Sequence, residues 1–527
     1  MLILLVNMTK NKLTLNVATI NGSGSQSSNS VLVKSLFRMG LPVGGKNMFP
    51  SNIAGLPTWY TIRVNPHGYT GRLSQNDIVV AMNTTTLIDD QKSLKPNGCL
   101  IYNSDLKIAD SLFRKDIQCF GIPFRKLVAP LSESVKLRKF LTNMVYAGIV
   151  SELIDIPYDI IESVITDAFQ DKPAVIESNI EAIKAGRDYA KQNLDPQKFP
   201  YKVEILSGGN ENKILIDGNS ATAMGLLHAG CTFAAWYPIT PSSSVIERFE
   251  NYAKKYRKDT DGRSTYAIIQ AEDELSSICM TIGAGWTGAR AMTATSGPGL
   301  SLMAEAAGLS YFAEIPAVIW DVQRVGPSTG LPTRTMQGDL LSAYTLSHGD
   351  TKHVVLLPAN PKECFEMATT AFDLAEHLQT LVIVLSDLDI GMNQYIVDRF
   401  QVSQQKLDRG KILNKDALEK VQEFARYKDV DGDGIGYRTL PGTEHPKAAY
   451  FTRGTGHNET AKYSENNFEF RANMERLLKK LETAKTLVPA PEITLHKESK
   501  VGVLYYGSSQ EALLEAFEEL NSDRKTP

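Results

Sequence analysis

Short apolar runs alternate with amphipathic stretches over most of the chain. Near the start, "LTLNVATINGSGSQSSNSVLVKSLFRMG" reads as strand, glycine turn and helix. Further β-like runs follow at "TWYTIRV", "DIVVAMN", "GCLIYN" and "IQCFGIPF", with helical segments such as "KLRKFLTNMVYAGIVSELI" between and after them. Strands that alternate with helices predict an α/β domain with a parallel sheet, here over residues 1–193. Residues 194–212 are polar, hold prolines and end near "GGNEN", which predicts a linker.

A second domain is expected over 213–392. Asn219 or Ser220 is placed to cap its first helix, which Gly230 ends. The runs "CTFAAWYPIT", "AIIQA", "ARAMTATS", "PAVIWDVQ", "HVVLLPA" and "TLVIVLSDLD" are nearly continuous in apolar residues. Such strands between helices belong to a sheet buried on both faces. Residues 393–499 turn polar and predict an irregular connecting segment that ends in a charged helix around "NMERLLKKLETAKTL". Residues 500–527 then open one more strand and helix, "KVGVLYYGSSQEALLEAFEEL". One helix covers only one face of a strand. This last α/β domain is therefore expected to be incomplete, with apolar surface exposed from Lys500 onward, either because a partner completes it or because the chain is a fragment.

Composition narrows the classes. The chain has 527 residues, 56 basic and 59 acidic side chains and a net charge of −3, which points neither to nucleic acid nor to a membrane surface. Five cysteines are scattered without a C-x-x-C, so no zinc or iron–sulfur site is expected here and a reducing cytoplasm is. The opening "MLILLVNMTKNK" is too short in apolar residues to span a bilayer, and Met8 is an alternative start.

The candidate chemistry starts at three successive acids, Glu272, Asp273 and Glu274, after the strand "YAIIQ". Strand ends are where open α/β sheets place ligands. Glu272 is nearest the strand, while Asp273 and Glu274 read as the first-turn acids that helix N-termini favour. In "YPITPSS", prolines flank Ile239 and Thr240 and stiffen a loop that presents the Thr240 hydroxyl. Arg324 ends the apolar strand "VIWDVQR" and needs an anion if buried; Asp321 is the local alternative to a ligand carboxylate. Asp429, Asp431 and Asp433 have the spacing of a calcium loop, but Leu440 stands where its bidentate glutamate belongs. Their "GDG" follows the polar "EFARYKDV" rather than a strand, so a turn is the default there.

A glutamate, a small-residue helix, a strand and then "TSGPG" resemble the pyrimidine-binding domain of thiamine-diphosphate enzymes. More narrowly, "AAWYPITPSS", "AEDE", "MTATSGPGLSLM" and "QRVGPSTGLPT" resemble the α subunit of 2-oxoacid:ferredoxin oxidoreductases, most closely the 2-oxoglutarate type with a γ-like domain fused ahead. The resemblance implies that Glu272 sits at the aminopyrimidine, with Tyr237, Pro238, Thr295, Ser296 and Gly297 around the cofactor. It implies that Thr240 and Arg324 hold the 2-oxoacid carboxylate. It also implies a β subunit carrying Mg²⁺ and a [4Fe–4S] cluster, coenzyme A as co-substrate, ferredoxin as acceptor, and a heterodimer or dimer of heterodimers. Pyruvate or a branched-chain 2-oxoacid is the alternative substrate, and a non-catalytic scaffold subunit the alternative role. Arg334 is a candidate for a distal carboxylate, and the turn at Gly22 and Gly24 for coenzyme A; there Ser25 and Ser27 replace two of the family's usual glycines.

Overall fold

The computed structural model describes residues 9–50, 53–402, 406–495 and 500–523. The chain forms two compact units: residues 1–216, 392–399 and 511–527 make the first, and 217–391 and 400–510 the second.

The first unit is built on a six-stranded sheet: β1 (Leu13–Ile20), β2 (Val43–Met48), β3 (Pro57–Val64), β4 (Asn76–Ala81), β5 (Leu94–Asn103) and β6 (Gln118–Ile122), in the order β2-β3-β1-β4-β5-β6. β1, β4, β5 and β6 run parallel, as expected, but β3 is antiparallel to both β1 and β2. The sheet is therefore mixed. The sequence hides β2, because "VGGKNM" has almost no β-forming side chains.

The polar stretch read as a linker is anchored in this unit. Phe199, Tyr201 and Val203 lie in its core, and Tyr201–Lys202 pairs in parallel with Thr9–Lys10. Lys213–Ile216 pairs antiparallel with Tyr395–Asp398 in the same unit.

The second unit carries six parallel strands: β7 (Phe233–Trp236), β8 (Ala267–Gln270), β9 (Ala291–Thr295), β10 (Ala317–Gln323), β11 (Val354–Leu356) and β12 (Leu381–Asp387). Their order is β8-β7-β9-β10-β12-β11. Side chains along β10 alternate as pleating requires. Ala317 and Ile319 join the core under helix α1 (Glu274–Trp286), together with Ile278, Ile282, Leu381 and Ile383. An asparagine or serine cap for the Gly218–His228 helix is not what forms. Asp217 caps it, its carboxylate accepting from Ser220 N at 2.7 Å, because the helix starts one turn earlier than the apolar pattern implies.

The irregular 400–495 segment is held to the second unit by charge. Fully buried Glu314 accepts from Arg476 at 2.6 and 3.0 Å and from Lys480 at 3.0 Å. The Asp429–Asp433 loop is neutralised within the chain. Lys411 Nζ reaches Asp431 at 2.6 Å and Asp433 at 2.8 Å, and Lys479 reaches Asp429 at 3.1 Å.

Residues 500–506 do not form the expected strand; Val501 and Leu504 are 81% and 99% exposed. The helix Ser509–Asp523 does form, and Arg63 holds Glu515 through a two-pronged ion pair in the first unit. No helix among the described residues is long and apolar enough to cross a membrane.

Candidate active site

All six strands of the second unit are parallel, so their carboxyl ends share one edge. The chain steps from β7 outward to β8, then returns to place β9 on the other side of β7. That reversal opens a crevice between β7 and β9, where such sheets bind ligands. The loop carrying Tyr237–Thr240 follows β7, the Ser296–Gly299 turn follows β9, the acids follow β8, and Arg324 follows β10. The structure thus brings the residues singled out from sequence to adjacent positions on one edge.

Their burial differs from expectation at one point. Glu272, the acid chosen from spacing, is exposed, whereas Glu274 is 7% exposed. A Cβ built on Gly299 would lie 2.8 Å from Glu274 Cγ, 2.9 Å from its Oε1 and 2.0 Å from Thr295 Oγ1. Glu274 therefore packs into the "TSGPG" turn, and the absence of a side chain at Gly299 is what admits it. Within this chain Glu274 is the buried acid of the three, and Glu272 is exposed at the end of β8. The physical reason is helical phase. Glu274, Ser277, Ile278, Thr281 and Ile282 share the buried face of α1, whereas Glu272 precedes the helix. Asp273 caps it, accepting from Ser276 N at 2.6 Å, and this bond holds its carboxyl below the usual range.

Arg324 is 7% exposed. Its guanidinium donates to the carbonyls of Thr240 at 2.7 Å and Thr329 at 3.1 Å. Its buried Nε has no partner, and burial lowers its pKa. No carboxylate among the described residues pairs with it, so the Asp321 salt bridge does not form. Since β9 lies between β7 and β10, the Arg324–Thr240 link spans the end of β9. Thr240 is half-buried, and Tyr237 and Pro238 are exposed at the crevice. Arg334 closes the same loop, its carbonyl accepting from Val325 N at 3.0 Å.

Thr295 and Ser296 are fully buried, and the Ser296 hydroxyl has no partner. An unpartnered hydroxyl, a side-chain-free turn and a buried carboxyl fit a planar heterocycle with ring nitrogens and an amino group. Two further acids lie on this edge, one read from sequence only as a salt-bridge partner for Arg324 and the other not singled out. Asp321 and Asp387, at the ends of β10 and β12, are both buried, and burial raises both. An aspartate inside an otherwise apolar strand was the available signal.

In the first unit, Gly22 and Gly24 both have φ of +83° and line a pocket of about 210 Å³ with Asn21, Ser25, Asn47 and Trp59.

Residues 224–477 match the profile of the pyruvate flavodoxin/ferredoxin oxidoreductase thiamine-diphosphate-binding domain, and residues 14–189 match that of the pyruvate ferredoxin/flavodoxin oxidoreductase domain. Fold and site together define an oxidoreductase with a thiamine-diphosphate-binding domain. The α subunit of 2-oxoacid:ferredoxin oxidoreductase 2 from Aeropyrum pernix is 29% identical over 554 aligned positions, covering 95% of this chain and 84% of that one. The 2-oxoglutarate synthase subunit KorA of Archaeoglobus fulgidus is 47% identical over 177 residues, 34% of this chain and 49% of that one. A solved 2-oxoglutarate:ferredoxin oxidoreductase from Magnetococcus marinus, with 2-oxoglutarate, coenzyme A and succinyl-CoA bound, superposes with a TM-score of 0.87 at 28% identity, over 98% of this chain and 86% of that one. The chain belongs to the 2-oxoacid:ferredoxin oxidoreductase family, as an α subunit with a γ-like domain fused ahead of its thiamine-diphosphate-binding domain.

Proposed function

We infer that this chain supplies the aminopyrimidine and substrate-carboxylate half of an enzyme that converts 2-oxoglutarate and coenzyme A to succinyl-CoA and CO₂, passing two electrons to ferredoxin. The observation that carries this reading is Arg324: a buried guanidinium without an acidic partner, held by two backbone carbonyls beside the "TSGPG" turn. Its planar fork suits a carboxylate. Arg334, on the same loop, is proposed for the distal carboxylate of a dicarboxylic acid. The bound 2-oxoglutarate and succinyl-CoA of the Magnetococcus marinus enzyme favour that acid over pyruvate or a branched-chain one. When bound, thiamine diphosphate would supply the chemistry for decarboxylating a 2-oxoacid. Glu274, in its water-poor pocket, would hold a pyrimidine ring nitrogen, and Thr240 and Arg324 would orient the acid.

The diphosphate with its Mg²⁺, and a [4Fe–4S] cluster, are proposed for a β subunit in a heterodimer or dimer of heterodimers. The exposed face beside α1 supports a partner. Edge strand β8 is largely exposed although parallel strands are ordinarily covered on both faces, and Leu275, Met280 and Trp286 are exposed on α1. Scattered, reduced cysteines support a cytoplasmic setting. The Gly22–Gly24 pocket is proposed to contact coenzyme A. Comparing turnover of 2-oxoglutarate, pyruvate and a branched-chain 2-oxoacid by the complex with its β subunit tests the substrate. A preference for 2-oxoglutarate that Arg334→Ala abolishes is expected; an unchanged ratio of the three rates in that variant returns Arg334 to a structural role.

A further inference from the structure

Asp321 lies on the face of β10 that otherwise carries Ala317 and Ile319, and it is fully buried. Both its carboxyl oxygens lack a donor from the protein. Asp339 is held beside it: its backbone is tied to Gln323, two positions along the same strand face, and its own Oδ2 is likewise buried without a partner. Asp339 occupies the N-cap position of the short Leu340–Tyr344 helix, yet its side chain caps nothing there. Its backbone N–H donates to Gln323 at 3.0 Å, and Gln323 in turn donates to the Ser386 carbonyl at 3.1 Å, which fixes the loop on the ends of β10 and β12. The Asp339 side chain is thereby turned to the "TSGPG" motif. A Cβ on Gly297 would lie 2.9 and 3.0 Å from its two carboxyl oxygens. The turn is gripped at two points, by Glu274 at Gly299 and by Asp339 at Gly297.

A fully buried and a half-buried carboxylate facing each other repel, and neither can donate to the other. One added proton converts the clash into a short, strong hydrogen bond. We propose that Asp321 and Asp339 share one proton at neutral pH and act as positioning residues that fix the Ser296–Gly297 turn, as Glu274 packs against it at Gly299. Burial, then the facing Asp339, pushes the Asp321 carboxyl well above its ordinary range; burial also raises Asp339. The titratable groups nearby are Tyr506, which feels both Asp387 and Asp339; Asp387 on β12, bonded by Ser508 and Gln337; and Glu274 beyond the turn. No lysine or arginine among the described residues acts on either carboxyl. Glycine at 297 leaves the space the pair fills.

The pair's effect on turnover rests on the functional reading above; the pair itself does not. Infrared difference spectra of the full chain, wild type against Asp321→Asn at pH 8, are expected to show a protonated carboxyl band in the wild type that the variant lacks. Folded-state proton uptake means stability falls as pH rises between the unfolded and folded pKa values. The wild-type melting temperature should therefore drop from pH 5 to pH 9 more steeply than that of Asp321→Asn, whose amide donates without titrating. In the complex with the β subunit, Asp321→Leu should lower turnover about ten- to a hundredfold through a misplaced turn. Asp321→Asn should rescue it and move the alkaline limb of the pH–rate profile upward by about one unit or more. A missing wild-type band, equal pH slopes of melting, or a fully active Asp321→Leu each overturns the pair. If band and slopes behave as expected and the complex still turns over no 2-oxoacid, the functional reading fails and the pair stands.

Discussion

At the scale of single residues, the site turns on which acid is dry. Glu272 and Glu274 are two positions apart, but only Glu274 reaches the "TSGPG" turn. Glu274→Gln is expected to lower turnover of the complex by about two to four orders of magnitude, the scale of lost acid–base assistance. Glu272→Gln should stay within about threefold of wild type, since exposed carboxylates away from the chemistry contribute little. Steady-state kinetics of the two variants side by side checks this, and equal losses would mean that the acids act together. Arg324→Lys keeps the charge but loses the fork. It should raise the KM for the 2-oxoacid by about tenfold, one lost charge-assisted bond, and leave the KM for coenzyme A nearly unchanged.

At the scale of elements, the strand-end turns do the positioning. Gly299→Ala would drive a methyl group into Thr295 Oγ1 and Glu274. Overpacking of this kind costs about 1–3 kcal/mol. A lower melting temperature together with weakened thiamine diphosphate binding in the complex is the expected outcome, measured by thermal unfolding and titration. Much of this layer was legible in the sequence. The six parallel strands of the second unit announced themselves as apolar runs, and the motifs at their ends fell on one edge because parallel strands must. The burial of Glu274 was not read because spacing from a strand end ignores helical phase; counting back in fours from Ile282 through Ile278 puts Glu274 on the buried face. The Asp321–Asp339 contact was not legible, since it joins a strand to a loop 18 positions on, a closure that only the fold defines. Likewise "KVGVLYY" has strand propensity, but it pairs with no neighbouring strand and is largely exposed in the structure.

At the scale of the whole molecule, buried ions help to fasten the irregular segment after residue 400, alongside buried Leu418, Tyr427, Ile435 and Leu477. Burial alone would raise Glu314, but Arg476 and Lys480 outweigh it and hold its carboxyl below the usual range. A carboxyl depressed in the folded state stabilises above the unfolded value and loses that contribution as pH falls. Glu314→Gln leaves two buried cations short of a counter-charge, which costs about 3–5 kcal/mol. Thermal unfolding should show this deficit at pH 7 and a shrinking one below about pH 4. The proposed assembly is the larger claim: a chain that supplies one half of a cofactor cleft would need the other half. The most direct test is 2-oxoglutarate- and coenzyme A-dependent reduction of ferredoxin, measured for this chain alone, with its β subunit, and with the β subunit and Glu274→Gln. The account predicts no activity alone, thiamine-diphosphate-dependent activity in the complex, and loss of that activity in the variant. Activity of the isolated chain, or a complex that works without thiamine diphosphate or unimpaired by Glu274→Gln, would contradict it.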